Sequence, residues 1–424
     1  MWWIVGPALP IVLLATFVGE VTFNPTWPLA DFWVNFAAMR AAWTGHVVYH
    51  LVSNPFLGAV FTYPPVLATL GSPLAALGCL GPIAPASRLQ PAGCMAPIVW
   101  QISQFGFLLA SVAVLLHSFG RLNRRSFISA LAICGCFLPV YSSFLNGQVN
   151  FLILFALSLT LSWYLSQRQM AAGLAFSLAC WIKLTPFVLV AYFIYRRQWR
   201  LLAGLALGSL ILIAISAANQ GWQSWWTWLT QVLPAESRGV IVPSFNFSPI
   251  TAAYLSLIHL GVGQAAAQTA AHVIQLAIDL LGLMALLWAG RRLEPSRANL
   301  GLEFSTWVAF TLVASPVTWD HHLVLLIPLL LWGVRWSSRA SPSWATWWVT
   351  VTGIDVVVLG FMVFDFSIGR AVGHTLTQSP LIAEKFFASR PNVALEWAAT
   401  TTLAVLMVWR IRCMRSLRSH NTAL

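Results

Sequence analysis

Long apolar segments, separated by short polar or basic connections, follow one another along almost the whole chain. A segment of about 17 to 25 apolar residues is long enough to cross a hydrocarbon core of about 30 Å as an α-helix. Two shorter segments around residues 183–186 suggest half-helices, which are tolerated where they line a polar cavity. The pattern predicts an all-α polytopic membrane protein of about 11 to 13 transmembrane helices. The predicted spans are 3–20, 97–119, 127–145, 151–166, 170–182, 186–196, 199–217, 263–290, 300–314, 321–335, 343–364 and 393–411.

Composition and the placement of charge agree with this class. Hydrophobic residues make up 59% of the 424 residues and charged residues only 8%, against roughly 25% charged residues in a soluble domain. The formal net charge of +12 alone would suggest a nucleic-acid-binding protein. The arginines, however, form short clusters at the ends of apolar segments, as in cytoplasmic connections of membrane proteins, so no nucleic-acid partner is predicted. The clusters are Arg121, Arg124 and Arg125; Arg196, Arg197 and Arg200; Arg291 and Arg292; Arg335 and Arg339; and Arg410, Arg412, Arg415 and Arg418.

The basic clusters also orient the chain. If each cluster is cytoplasmic, the C-terminus is cytoplasmic and five polar connections fall on the outer face. Residues 64–80 are apolar but rich in Pro and Gly, and a full span there would invert the first loop or every later cluster. A short or re-entrant helix is therefore predicted for them. The five outer connections are 146–150, 183–186, 219–249, 315–322 and 365–392.

Three further features bear on topology and redox state. Residues 1–20 lack a basic n-region and are interpreted as an uncleaved first span. The Trp-rich segments 222–228 and 344–348 are predicted to form interfacial belts, with a groove for a lipid carrier as the alternative. The cysteines lie mostly in apolar segments without metal-type pairing with histidine, and buried structural thiols are predicted. They are Cys79, Cys94, Cys134, Cys136, Cys180 and Cys413.

Acidic residues beside apolar segments need an explanation, because the chain has only 11 acidic residues. Asp31 follows the first span, in a segment that leads to FTYPP at residues 61–65. From the local residues it is equally a candidate for chemistry and the cap of a short interfacial helix. Asp279 and His272 are seven residues apart on one helical face, and a structural role is preferred for this pair.

The segment SPVTWDHH at residues 315–322 places one acid and two imidazoles at the outer end of a span. Adjacent helical residues point to different faces, so at most one of His321 and His322 is expected to face the same cavity as Asp31. Such a histidine could relay a proton, bind a phosphate or donate to a sugar hydroxyl. An interfacial histidine pair is the alternative, and Asp320 is a candidate for substrate binding.

A third set of polar residues suits a phosphate and a sugar. Lys183 is one of only two lysines and lies in apolar sequence, where a buried ammonium needs a partner such as a carrier phosphate. Snorkelling to the interface is an equal alternative. Amide and hydroxyl side chains offer donors and acceptors for sugar hydroxyls. These side chains are Asn146, Gln148 and Asn150 in NGQVN, and Asn246 and Ser248 in SFNFSP.

Taken in this order, the segments resemble glycosyltransferase family 87, the polyprenyl-phosphate-mannose-type mannosyltransferases of GT-C architecture. The resemblance covers about residues 20–335, which leaves 336–424 as C-terminal helices and a basic tail of the same membrane domain. Asn35 departs from the tyrosine that the family often shows after its aspartate, and this concerns the detail of the first loop. The matching residues are the run from Asp31 through Gly45 and Tyr49 to Tyr63, Pro64 and Pro65, then GQVN, IKLTP with the Arg-rich turn after it, and SPVTWDHH.

The resemblance implies a GT-C fold with an extended first outer loop, in the cell membrane, with the active site facing the periplasm or exterior. A sugar, mannose above all, would pass with inversion from a polyprenyl-phosphate carrier to a hydroxyl of a lipid or glycan acceptor. Asp31 matches the general base of the family, and His321 or His322 matches its functionally important histidine. Tyr63 joins the substrate-binding candidates. The alternatives are a pentosyl or other hexosyl transferase of this architecture, and a transporter or flippase for a lipid-linked sugar.

No metal ion or other cofactor is expected. The leaving group is already a phosphate that needs little protonation, so cationic side chains such as Lys183 could stabilise it. Divalent-metal sites usually recruit carboxylates, and the candidate cavity offers only Asp31 and Asp320. The expected partners are the lipid-phosphate sugar, the acceptor and the surrounding membrane lipids.

Overall fold

The computed structural model describes residues 2–23, 29–49, 61–77, 94–120, 122–238, 246, 248–291, 293 and 296–337. The regular elements in these ranges are helical, apart from one isolated antiparallel bridge between Asn246 and Trp319. The predicted all-α fold is therefore confirmed. The chain divides into two compact units, the first formed by residues 1–239 and 321–335 and the second by 240–320 and the C-terminal segment from 336.

The first unit contains most of the described helices. Its apolar helices keep their few hydroxyl side chains satisfied locally. In α7, for example, Ser158 and Thr160 donate to the carbonyl oxygens one turn earlier, at 2.7 and 2.8 Å, which removes the penalty of an unpaired polar group in an apolar environment. The helices are α1 (Trp2–Phe23), α2 (Ala30–Trp43), α3 (Pro65–Gly71), α4 (Ala96–Ser118), α5 (Arg124–Cys136), α6 (Leu138–Asn146), α7 (Asn150–Leu165), α8 (Gln169–Ile182), α9 (Leu189–Tyr195), α10 (Trp199–Gln220), α11 (Trp222–Thr227) and α12 (Leu233–Arg238).

The second unit contains α13 (Pro249–His259), α14 (Gln264–Gly290) and α15 (Arg297–Val313). Ser296 caps α15 by accepting a hydrogen bond from the backbone N–H of Asn299 at 3.2 Å, a common way to begin a helix. From His321 the chain again belongs to the first unit, in the 3₁₀ helix Asp320–Leu326 and in α16 (Ile327–Ser337).

The long apolar helices lie where the sequence predicts them. Among the described residues, α4, α10 and α14 are each long and apolar enough to cross a membrane. The predicted spans 151–166, 170–182 and 300–314 correspond to α7, α8 and α15 within three residues at each end. The two predicted spans beyond residue 337 lie outside the described residues.

The predicted span 127–145 is broken instead of continuous. Helices α5 and α6 meet at an angle of 68°, and Phe137 between them has an extended backbone with φ −96° and ψ 102°. Pro139 lies in the first turn of α6, where its missing N–H is harmless but where it ends the preceding helix. The break sets the direction of α6, which leads to the candidate site.

The Pro- and Gly-rich segment after residue 63 is a short helix, as predicted. Helix α3 continues into the 3₁₀ turn Ser72–Ala76, and together they are too short to cross a membrane. Gln220 at the end of α10 donates its amide to the carbonyl oxygen of Pro65 at 2.8 Å and to the hydroxyl of Thr69 at 2.6 Å. These bonds fix α3 against α10.

The four tryptophans of residues 222–228, predicted to form an interfacial belt, divide into two exposed and two buried side chains. Trp222 and Trp226 are 59% and 56% exposed, but Trp225 and Trp228 are each 2% exposed. The buried indoles are hydrogen-bonded, Trp225 to the Ser216 hydroxyl at 3.0 Å and Trp228 to the Thr62 carbonyl at 3.1 Å. The segment is a helix with one face turned into the protein, a difference that the run of tryptophans alone did not show.

The cysteines also differ from the prediction at one position. Cys134 and Cys180 are buried free thiols, as predicted. Cys94, which lies just before α4, is disulfide-bonded. Cys94 is buried as predicted, but it is not a free thiol, because the sequence alone does not show which cysteines meet in the fold.

The backbones of α8 and α10 touch through glycines. A Cβ atom added at Gly173 would lie 2.1 Å from the carbonyl oxygen of Leu201, and one added at Gly204 would lie 2.3 Å from that of Met170. Small residues allow such close approach, which supplies much of the packing energy between membrane helices. This contact holds α8, whose C-terminal end carries Lys183.

Replacing Gly173 with Ala is therefore expected to destabilise the protein. The new methyl group meets backbone atoms that cannot rotate away, and overpacking of this kind costs about 1–3 kcal/mol. The check is thermal unfolding of the purified protein in detergent. Gly106→Ala in α4 is the matched control, because nothing lies within 4 Å of its added Cβ. An unfolding temperature for Gly173→Ala equal to that of the control would contradict the close packing of α8 and α10.

Candidate active site

Asp31 lies in the first turn of α2, where the unpaired N–H groups of the helix favour a carboxylate. Phe32 and Phe36 on the same helix are fully buried and stack with their ring centroids 5.4 Å apart. These aromatic residues anchor α2 in the first unit. Asp31 itself is half-buried, so the helix presents its carboxylate at the edge of the core.

The turn between α6 and α7 is pressed against α2. Gly147 ends α6 in the left-handed conformation, with φ +65°, and a Cβ at this position would lie 2.5 Å from Cβ of Phe32. From α4, Trp100 donates its indole N–H to the Gly147 carbonyl at 2.8 Å, and Gln101 donates its amide to the Phe144 carbonyl at 2.7 Å. The turn is thus held on two sides.

Gln148 follows this turn and reaches Asp31. Its amide nitrogen Nε2 donates to Oδ2 of Asp31 at 2.5 Å. On the other side, the hydroxyl of Tyr63 donates to Oε1 of Gln148 at 3.3 Å, and the hydroxyl of Tyr49 donates to the backbone carbonyl of Tyr63 at 2.7 Å. A chain of side chains from the first loop therefore ends on the carboxylate.

Lys183 stands where α8 ends. Its backbone is extended, with φ −148° and ψ 132°, so the side chain leaves the helix axis at the break before the 3₁₀ turn Thr185–Val188. Burial lowers the pKa of Lys183 to about 7, and the carboxylate of Asp31 acts in the opposite direction. Lys183 and Asp31 are therefore close enough to interact electrostatically.

His322 is the direct partner of Lys183. The Nζ atom of Lys183 is hydrogen-bonded to Nε2 of His322, and an ammonium donor requires a neutral imidazole whose proton is on Nδ1. The ring of His321 lies edge-on to that of His322, with centroids 4.6 Å apart at 86°. Of the two histidines that the sequence left undecided, His322 is the one that joins Lys183.

Asn150 holds the backbone next to His322. Its amide donates to the carbonyl oxygen of His321 at 3.0 Å, and the hydroxyl of Ser143 donates to the same oxygen at 3.0 Å. Asn150 is 1% exposed. In this structure its amide connects α7 to the segment that carries the two histidines, while the substrate contact predicted for it stays a prediction.

The structure thus brings five of the predicted residues together in the first unit. These residues are Asp31, Tyr63, Gln148, Lys183 and His322. The arrangement places a carboxylate opposite a lysine that is hydrogen-bonded to an imidazole. Such a site can accept a proton at one end and stabilise an anion at the other.

Asn246 and Ser248 belong to the second unit and form a network there. The Asn246 amide donates to the Thr251 hydroxyl at 2.9 Å and accepts from the backbone N–H of Thr318 at 2.9 Å. The Ser248 hydroxyl donates to that of Thr251 at 3.0 Å. Asp320 is half-buried at the start of its 3₁₀ helix and also falls in this unit. A substrate contact for these three residues stays a prediction.

Two side chains beside the site, those of Trp181 and Glu236, were not singled out from the sequence. Trp181, two residues before Lys183, packs edge-on against Trp225 and Trp228, with centroids 5.3 and 6.4 Å apart. The charge of Glu236 in α12, together with that of Asp31, adds to the burial that raises the pKa of Tyr63. The spacing of Trp225 and Trp228 on one helical face could have indicated that both pack into the protein. No local signal marks Trp181 or Glu236.

Metal ligands are sparse in the part of the chain that the structure describes. No group of three His, Cys, Asp or Glu side chains there is placed to hold a metal ion. The charged groups of the site are instead a carboxylate and a lysine.

The fold and the site define a helical membrane protein that could exchange a proton at Asp31 and bind an anion at Lys183. Residues 61–316 match glycosyltransferase family 87. The match covers more than half of the chain, which belongs to this family. Asp31 lies well before the matched residues, and the two histidines lie shortly after them.

Two relatives of known name are similar to this chain over part of their length. A polyprenol-phosphate-mannose-dependent alpha-(1-2)-phosphatidylinositol pentamannoside mannosyltransferase of Mycolicibacterium smegmatis is 31% identical over 64% of this chain and 60% of its own length. A polyprenol-phosphate-mannose-dependent alpha-(1-2)-phosphatidylinositol mannoside mannosyltransferase of Mycobacterium tuberculosis is 29% identical over 69% of this chain and 65% of its own length. The match thus spans less than two thirds of each of these relatives.

One solved structure is also similar. The crystal structure of ArnT from Cupriavidus metallidurans bound to undecaprenyl phosphate is 15% identical in sequence, with a TM-score of 0.43. The similarity covers 96% of this chain and 76% of that protein.

Proposed function

We propose that this protein transfers mannose from a polyprenyl-phosphate carrier to a hydroxyl group of a lipid or glycan acceptor, with inversion at the anomeric carbon. The observation that carries the proposal is the placement of the Asp31 carboxylate within electrostatic reach of Lys183, which is itself paired with His322. The choice of mannose is supported by the donors named for the two relatives.

In the proposed reaction Asp31 is the general base. It takes the proton of the acceptor hydroxyl as that oxygen attacks the anomeric carbon, because a sugar hydroxyl is too weak an acid to ionise alone. The new C–O bond forms on one face while the bond to the carrier phosphate breaks on the other. A single displacement inverts the anomeric configuration, so a β-linked donor gives an α-linked product.

Lys183 and His322 are proposed to bind the carrier phosphate. The positive charge of Lys183 would stabilise the second negative charge that the phosphate acquires when it leaves. The His322 imidazole accepts a hydrogen bond from Lys183 and so holds the lysine in place. No metal ion is needed in this scheme because the lysine supplies the cationic group.

The active site is proposed to face the exterior of the cell membrane or the periplasm. The basic clusters at the opposite ends of the apolar segments support this orientation. The disulfide at Cys94, next to the predicted outer end of α4, supports it independently, because disulfides persist in oxidising compartments and are rare in the cytoplasm.

Sugar transfer by the purified full-length protein in proteoliposomes tests this proposal. The donors are polyprenyl-phosphate-[³H]mannose, the corresponding pentose and galactose lipids, and GDP-mannose, with phosphatidylinositol mannosides and alkyl mannosides as acceptors. We expect label to pass only from the mannose lipid, at a rate unchanged by EDTA. Transfer from GDP-mannose would contradict the donor class, and loss of activity in EDTA that magnesium restores would contradict metal independence.

The same proteoliposomes distinguish a transferase from a transporter. A transporter would carry the labelled lipid to the other leaflet without forming a new glycosidic bond. Movement of intact donor with no product would therefore overturn the proposed transfer. Transfer from a pentose or galactose lipid in place of the mannose lipid would keep the reaction type and correct the sugar.

A further inference from the structure

We infer that Gln148 is a positioning residue for Asp31 rather than a ligand of the sugar. The inference rests on the proposed function, since it concerns how the proposed base is held. The hydrogen bonds on both sides of its amide group point to this role. The sequence predicted Gln148 as a substrate-binding residue because its neutral amide offers a donor and an acceptor suited to sugar hydroxyls.

The amide of Gln148 is enclosed by the protein. The residue is only 3% exposed, although it lies in a connection between two helices. Its Nε2 atom donates to Oδ2 of Asp31 at 2.5 Å, and its Oε1 atom accepts from the Tyr63 hydroxyl at 3.3 Å. With one bond at each end of the amide and 3% of the residue exposed, Gln148 offers a sugar little accessible surface.

The backbone of Gln148 is also fixed. Its N–H donates to the carbonyl oxygen of Ser143 at 2.9 Å, and the preceding Gly147 is held by Trp100 from α4 and by its close approach to Phe32 of α2. Gly147 is required here on two grounds, its positive φ and the lack of space for a Cβ. The turn therefore fixes the position of the Gln148 amide.

Asp31 and Tyr63 together set the orientation of the Gln148 amide. An ionised carboxylate only accepts hydrogen bonds, so the amide nitrogen faces Asp31, and the Tyr63 hydroxyl donates to the amide oxygen on the other side. The position of Tyr63 is fixed in turn by the Tyr49 hydroxyl on its backbone carbonyl. The N–H of Gln148 donates to one carboxylate oxygen of Asp31 and so fixes the orientation of the carboxylate.

Gln148→Glu is the sharpest test. The glutamate keeps the length of the side chain and the acceptor for Tyr63, but it places a second carboxylate against Asp31. Two adjacent carboxylates share a proton. The apparent pKa of the acid limb of the kcat–pH profile is therefore expected to rise by about one pH unit or more. The other titratable groups that act on the site are Lys183, His322, Tyr63 and Glu236, and all four are unchanged in this variant.

Gln148→Met removes both hydrogen bonds without adding charge. The expected result is a fall in kcat of roughly 10²-fold, the scale associated with misplacing a reacting group by about 1 Å, with the KM values for donor and acceptor changed less than about 3-fold. Tyr63→Phe should lower kcat to a smaller extent. The Gln148 amide keeps its bond to Asp31 in this variant but loses the hydroxyl that holds its oxygen. Gln169→Met is the matched control. It removes a side-chain bond of 2.9 Å to Gln198 at the far end of α8 and should leave the kinetics unchanged.

The experiment is run on the full chain in proteoliposomes, with polyprenyl-phosphate-[³H]mannose and the mannoside acceptors. A raised acid limb in Gln148→Glu together with a kcat effect in Gln148→Met supports the inference. A raised KM with unchanged kcat, or an unshifted acid limb, overturns it and restores Gln148 as a sugar ligand. Size-exclusion profiles and unfolding temperatures equal to those of Gln169→Met establish that the variants are folded.

The proposed function is tested separately, by measuring sugar transfer by the wild type in the same assay. If the wild type transfers no sugar, infrared titration still tests the inference. The carboxyl band of Asp31, identified by its loss in Asp31→Asn, should titrate at higher pH in Gln148→Glu than in the wild type. An unchanged titration would show that the amide does not control Asp31.

Discussion

Asp31→Asn is expected to abolish sugar transfer while leaving the protein folded and able to bind its donor. An amide cannot accept the proton of the acceptor hydroxyl, and loss of a general base lowers kcat by roughly 10²- to 10⁴-fold. The asparagine oxygen can still accept the hydrogen bond that Gln148 donates to Asp31, so the local structure should survive. The measurement is transfer from labelled polyprenyl-phosphate-mannose at matched amounts of folded protein.

Asp279→Asn provides the matched control for this loss. Asp279 is another acid within apolar sequence, and it accepts a hydrogen bond from Gln275 one turn earlier on α14 at 2.7 Å. The same Gln275 donates to the Val313 carbonyl at 3.0 Å, which indicates a structural role. We expect the control to retain activity. Full activity in Asp31→Asn would reduce Asp31 to the cap of a short helix, the alternative that its local sequence left open.

The spans could be predicted from the sequence because length and apolarity are local properties. Helices α4, α10 and α14 follow directly from them. The break between α5 and α6 was missed, since a proline within an apolar run does not by itself show whether a helix kinks or ends. The short helix α2 carries the proposed base but is too short to be recognised as a span.

The candidate site could be predicted at those positions where an ionisable residue lies in apolar sequence. Asp31, Lys183 and His322 stood out because ionisable residues are costly in apolar sequence and are kept there for a purpose. The contact of Lys183 with His322 could not be predicted, since it depends on the 3₁₀ turn that carries both histidines and on the hydrogen bonds to the His321 carbonyl. The position of Gln148 beside Asp31, 117 residues away in sequence, leaves no local signal.

Three residues of the site lie at the ends of helices or in the connections between them. Asp31 is in the first turn of α2, Gln148 lies in the turn between α6 and α7, and Lys183 follows the last residue of α8. A break frees backbone groups and redirects side chains, which a membrane protein tolerates where the backbone is enclosed by protein or lines a polar cavity. The glycine contacts between α8 and α10 then matter for the site, because they hold the helix that presents Lys183.

Lys183→Met is expected to raise the KM for the donor and to lower kcat/KM. A hydrogen bond to a charged group contributes about 1.5–3 kcal/mol, which corresponds to roughly a 10- to 150-fold loss in kcat/KM. Lys385→Met is the matched control, since these two are the only lysines of the chain. An unchanged kcat/KM in Lys183→Met would remove Lys183 from the phosphate site.

The pH dependence gives this assignment a second, independent test. Because burial lowers the pKa of Lys183 to about 7, the cationic form is present below that pH and is lost as the pH rises through it. The kcat/KM of the wild type should therefore fall on the alkaline side, where the profile reports the free enzyme. In Lys183→Arg the guanidinium stays charged, so the alkaline fall should disappear even if the overall rate is lower. If the fall persists in Lys183→Arg, the alkaline limb belongs to another titrating group and not to Lys183.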